Sequence, residues 1–225
     1  MTPIDHYQTE EFTRRILDYM RAKGYAIATG AAEVNIVYVE GCDADGRPNA
    51  DRADEWNDLR IVIAHDGNGT PQMLLCEPAT CEPGLAPTLS AAARRRGGVA
   101  RIAFGQYTAW ICGYHKRRAD HPALVQVQPV PVLRDYNRDG LRDGDKQDLG
   151  LFGINHHGTG AQYRGVTVSN YSEGCSVGRD WVRHLFFMGL CKNDPRYKAN
   201  RSFVFSAAYI PGDDLAVVCP IGPAV

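Results

Sequence analysis

Residues 99–115 read VARIAFGQYTAWICGYH, a run of β-branched and aromatic side chains interrupted by Gly105 and Gly113. Such a composition suits a pleated, half-buried surface, and the glycines mark where strands end or bend. The same texture continues on both sides: AEVNIVYVEG (32–41), LRIVIAHDGNG (59–69), PQMLLCEPAT (71–80) and ALVQVQPVPVLRD (123–135) are β-rich runs divided by Gly, Asp, Asn and Pro. They predict antiparallel strands in a sheet or barrel. A further strand runs into a loop at GLFGINHHGTG (150–160), and a last one at SFVFSAAYI (202–210) precedes a turn at PGDD (211–214).

Two segments have helical spacing. In TEEFTRRILDYMRAKG (9–24), Thr9 precedes two acids, Phe12, Ile16, Tyr19 and Met20 share one face, and Gly24 supplies a stop. GRDWVRHLFFMGLCK (178–192) reads as a second helix, packed on one side. No repeat or low-complexity linker divides the chain, so the expected architecture is one β-rich α+β domain over residues 1–225.

Composition narrows function by exclusion. A net charge of -1 is unlike a protein that binds nucleic acid by neutralising phosphates, and ARRRGG (93–98) is a single short basic run, read as a solvated loop. No apolar run approaches the roughly 18 residues needed to span a bilayer, so no membrane insertion is expected. The opening MTPIDHYQTEEFTRRILDYMRAKGY (1–25) is broken throughout by charges, which predicts no secretory signal and synthesis in the cytoplasm. Seven cysteines, an odd number without CxxC spacing, fit neither a secreted disulfide scaffold nor a zinc knuckle, and most read as reduced core residues. Nothing in the pattern fixes an oligomeric state.

The chemistry centres on YSEGCSVGRD (171–180). Cys175 follows a glycine and precedes the expected 178–192 helix, whose positive end would favour a thiolate. INHHGTG (154–160) offers His156 and His157 as partners. Neighbours on a strand point to opposite faces, so His157 is read as the base and His156 as a packing or substrate contact.

His157-Gly158, followed by Ser172-Glu173-Gly174-Cys175 with 14 residues between His157 and Ser172, resembles the His, spacer, Ser/Thr-His-Gly-Cys signature of the L,D-transpeptidase family. The likeness covers about residues 150–180. It implies an L,D-transpeptidase-like sheet or barrel core, with Cys175 as the acyl-accepting thiolate and His157 as its base. It also implies Gly174 and the Cys175 backbone in an oxyanion hole, Ser172 as the motif hydroxyl, and bacterial peptidoglycan as substrate. Glu173 stands where the family has His, and Val177 where it has the Asn or Arg that holds a substrate carboxylate. Arg179 is the expected replacement cation. A leaderless wall-degrading enzyme of endolysin type, released through a holin lesion or injected, fits these features together.

Two rivals follow from the departures. A carboxylate beside a thiol opposes its ionisation, so Glu173, or Glu82 in CEPG with Glu77 nearby, could instead serve a muramidase on the same fold. A catalytically inactive wall-binding module is the other. Separately, DYNRDGLRDGDK (135–146) places Asp135, Asn137 and Asp139 at alternate positions before Gly140, like the first half of a calcium loop. Lys146 occupies the place of the closing glutamate, leaving Asp143 and Asp145 as further oxygen donors. Calcium is therefore weighed against an Asx-rich turn, and no other cofactor is expected.

Overall fold

The computed structural model describes residues 6–222. Residues 1–5, at the head of the stretch read for an export signal, lie outside the described residues, and the first helix begins at His6, so the backbone of Thr9 lies within it and not at its expected start. The elements run α1 (His6–Ala22), β1 (Asn35–Glu40), β2 (Asp58–His65), β3 (Pro71–Thr80), α2 (Leu85–Thr88), α3 (Ala91–Arg95), β4 (Val99–Ile102), β5 (Gly105–Tyr114), β6 (Pro122–Gln126), β7 (Val130–Asp135), β8 (Lys146–Gly150), β9 (His156–Gly158), β10 (Ser176–Gly178), α4 (Trp181–Asn193), α5 (Pro195–Ala199), β11 (Phe205–Pro211) and α6 (Gly212–Val218). Among the described residues no helix is long and apolar enough to cross a membrane.

The architecture is a strand-rich α+β fold built on a closed eight-stranded barrel, in the order β1-β11-β5-β6-β9-β10-β3-β2. Its pairing is mixed. β1 runs parallel to β11, and β9 parallel to β10, while the pairings among the five runs read as antiparallel, β1–β2, β2–β3, β5–β6 and β4–β7, are antiparallel. The parallel pair β1–β11 joins segments far apart in the chain, brought together by closure of the barrel. The 99–115 run divides into two sheets: β5 joins the barrel, whereas β4 pairs with β7 at the edge of a separate three-stranded sheet, β4-β7-β8. The PGDD turn is instead the entry to α6, which begins at Gly212.

Strands β1 and β2 are buried along their whole length because both faces are covered. Ile36 and Tyr38 point into the barrel with Val62, Trp110, Phe205 and Tyr209. Their neighbours Val37 and Val39 join Ile61, Ile63 and Ile210 under α1, which contributes Phe12, Ile16, Leu17, Tyr19 and Met20. Burial of each large apolar side chain contributes about 1.5–3 kcal/mol before ordering costs, so α1 is held by tertiary packing. The helix stops where Gly24 takes a φ of +69°, a left-handed conformation that glycine adopts without strain.

The barrel also encloses charge. Arg60 donates from Nε (2.8 Å) and Nη2 (2.5 Å) to Glu77 Oε1, and both side chains are 0 % exposed. Arg60 also lies 4.2 Å over the Phe187 ring, and its Nη1 reaches the His157 carbonyl at 3.4 Å. A Cβ at Gly178 would stand 2.0 Å from Arg60 Nη2, so the glycine that closes SEGCSVG is required by the ion pair beneath it.

Candidate active site

β9 and β10 lie side by side in parallel, with Ser176 opposite His156 and Val177 opposite His157. This register brings Cys175, just ahead of β10, alongside the 153–155 segment that leads into β9. Its thiol donates to the Gly153 carbonyl at 3.4 Å, and the Asn155 backbone N–H approaches the sulfur. Cys175 and His157 share the wall of an open cleft of about 410 Å³, together with His115, Lys116, Asn155 and Tyr171.

The turn carrying the cysteine is held by its own sequence. The buried Ser172 donates from Oγ to the Cys175 carbonyl (2.8 Å) and accepts from the Gly174 N–H (3.1 Å). Gly174 has a φ of +127°, and a Cβ there would lie 2.0 Å from the Ala100 carbonyl oxygen. Only glycine permits that approach to β4. The Ser-x-Gly-Cys pattern therefore fixes the backbone on which the thiol sits.

His157 Nδ1 lies 2.9 Å from the Gly158 carbonyl oxygen. A carbonyl only accepts, so Nδ1 carries the proton and Nε2 is the basic nitrogen. His115 stacks on this ring with centroids 3.9 Å apart. It is carried by the turn between β5 and β6, where Lys116 and Arg117 take φ values of +49° and +59°. Ligand atoms of His115, His157 and Cys175 all lie within 4.8 Å of one another, so thiol and imidazole are neighbours.

Both partners are neutral at ordinary pH. Burial pushes the Cys175 thiol up to about 11; the Asn155 N–H and Lys116 oppose the rise, while Glu173 adds slightly to it. Burial, and next the His115 charge, hold His157 well below its usual 6.5, although the bond to Gly158 works the other way. The expected thiolate at a helix mouth is thus corrected. Strand β10 intervenes between Cys175 and α4, which starts at Trp181 with Asp180 as its cap. Since the helix-end field is confined to the first turn, it does not reach the sulfur.

The other expected residues are dispersed. His156 is fully buried inside the barrel, with Nε2 3.0 Å from Tyr209 Oη and its ring 4.4 Å from that of Trp110. Packing is the role that position fits; contact with substrate is not. Glu77 is sealed against Arg60 and cannot touch a substrate. Glu82, also buried, pairs with Arg101 at 2.9 Å, close to Glu40 and Asp51 and outside the lining of the Cys175 cleft. Arg179 is exposed and likewise absent from that lining, whereas Lys116, Arg96 and Arg134 supply cations there. Glu173 sits on the rim, 64 % exposed, 3.6 Å from Arg96. Val177 is buried beside Trp56 and Val168. His115 and Lys116 had no local motif to mark them, because the barrel alone brings their turn to β9.

Among the described residues, two side-chain sets have the composition of metal ligands. His115, His157 and Cys175 offer two nitrogens and a sulfur, and Glu40, Asp51 and Glu82 offer oxygens. No protein-family model matches the chain, and no curated protein matches it significantly.

Proposed function

We propose that this protein is a peptidoglycan-degrading cysteine hydrolase of endolysin type, which cleaves at a carbonyl of the wall stem peptide. The observation that carries the reading is the Cys175 thiol beside His157, a ring oriented by the Gly158 carbonyl, on the wall of an open polar cleft. Nucleophile, base and orienting group are the three parts that thiol catalysis uses, here with the thiol within 4.8 Å of the imidazole while it donates to Gly153. His157 Nε2 takes the thiol proton as sulfur attacks the carbonyl carbon. The tetrahedral oxyanion collapses, the C–N bond breaks, and the amine leaves with the proton from His157. Water then adds to the thioester, His157 accepting its proton, and returning it to sulfur as the acid departs. The Gly174 N–H is already given to Ser172 Oγ, so the Cys175 backbone N–H is the donor for the oxyanion. Lys116 in the cleft lining would hold a stem-peptide carboxylate.

Mass spectrometry of fragments released from purified peptidoglycan tests the proposal directly. New amino and carboxyl termini are expected; new reducing sugar ends with intact peptides would identify a muramidase, and sacculus binding with no release an inactive module.

The neutral pair has a kinetic signature. His157 is free base throughout the neutral range because its pKa is lowered, and the thiol stays protonated until about 11. One protonation state therefore persists between them, and kcat/KM is expected to stay level across neutral pH, with its acid limb well below 6.5. An acid limb at or above the ordinary histidine value would mean a charged His157 and a different mechanism.

Glu173→Gln discriminates between thiol and carboxylate chemistry. The side chain is exposed and ion-paired on the rim, and its charge is the smallest influence on Cys175. Activity is expected to change less than about threefold, since exposed charges are screened. A loss of about a hundredfold would instead assign general acid-base work to Glu173.

A further inference from the structure

The loop between β7 and β8 holds a feature that cleavage of a wall peptide does not use. Asp135, at the end of β7, is only 1 % exposed, and its Oδ1 is buried with no hydrogen-bond partner. Its Oδ2 accepts from the Gly140 N–H at 3.2 Å, so the carboxylate faces into the loop. Asp145 repeats the pattern at the other end, with Oδ2 buried and unpartnered. An orphaned buried carboxylate oxygen is costly unless something compensates it.

Neighbouring cations do not meet these oxygens. Arg101 is committed to Glu82 and, through Nη2, to the Gly140 carbonyl at 2.5 Å. Arg142 donates to Glu40 and to the Ile102 carbonyl. Those bonds anchor the loop to the rest of the molecule. Asn137 and Asp139 are exposed at the mouth, their side chains bonded to each other at 2.7 Å, and Gly140 takes a φ of +73° to make the sharp bend.

We propose that the loop from Asp135 to Asp145 binds a calcium ion, with the Asp135, Asn137, Asp139 and Asp145 side chains and the Leu141 carbonyl as oxygen donors. Calcium accepts six to eight hard oxygen ligands in flexible geometry. Asp145 closes the site in place of the acid that Lys146 replaces. Because the ligands span the β7–β8 connection, the ion cross-links that connection. The site is independent of the reaction at Cys175.

The test uses the full chain, stripped with chelator and then titrated with calcium chloride. A rise in Tm of at least about 3 °C at millimolar calcium is expected. Terbium luminescence sensitised by the adjacent, exposed Tyr136 should appear and be displaced by calcium. Asp145→Asn should lose both responses while folding as the stripped parent does, and Asp135→Asn should do the same if it folds. No Tm shift and no displaceable luminescence would overturn the proposal. So would responses of equal size in Asp145→Asn and the parent.

Discussion

Replacing Cys175 with alanine is expected to lower fragment release from purified peptidoglycan by at least about a thousandfold while the thermal unfolding transition stays in place. The size follows from the covalent step: without sulfur no thioester forms, and what remains is substrate binding and a single oxyanion donor. Stability should hold because the thiol donates one long bond, to Gly153, and is otherwise approached by the Asn155 N–H, while the turn is fixed by Ser172 and Gly174. Cys175→Ser is the stricter companion, since it keeps a hydroxyl but asks a neutral imidazole to activate a much weaker acid. A folded Cys175→Ala protein with full activity would move catalysis away from the thiol.

The largest effect on folding should come from Glu77→Leu, which leaves Arg60 charged, fully buried and without its carboxylate. Breaking a buried pair by removing one partner typically costs about 3–5 kcal/mol, because the remaining ion keeps its desolvation penalty. Arg60→Met should cost a similar amount. The double variant, which removes both ions, should recover much of the loss, and chemical denaturation of all four proteins closes the cycle. Additive losses in the double variant would show that the pair contributes by packing and not by charge. The Arg60 contact to the His157 carbonyl gives Arg60→Met a second readout in activity, since the base would lose support from below.

The strand-rich α+β class and the two long helices were legible in local periodicity, because alternation and the three-to-four spacing are imposed by burial on one side of each element. Even boundaries came close, with the first helix ending before Gly24 as its φ requires. The antiparallel pairing of neighbouring runs was legible, but the parallel neighbour of NIVYVE was not, because β11 reaches it from the far end of the chain. Nor was the split of VARIAFGQYTAWICGYH between two sheets, although Gly105, with a φ of +149°, lies at the break. The helix-mouth argument for Cys175 failed because SVG forms a strand three residues long, too short for a periodicity to register.

The sequence by itself placed a cysteine, a histidine and the glycine-serine turn in one segment of the chain, because those contacts are local or nearly so. Only the tertiary structure decided their electrostatic state and their company. Burial depends on what the barrel lays over a residue, and it turned an expected thiolate into a neutral thiol beside a neutral imidazole base. It also enclosed Glu77 and His156, exposed Glu173, and brought His115 onto His157 from 42 residues away in the chain, a distance that no local pattern spans.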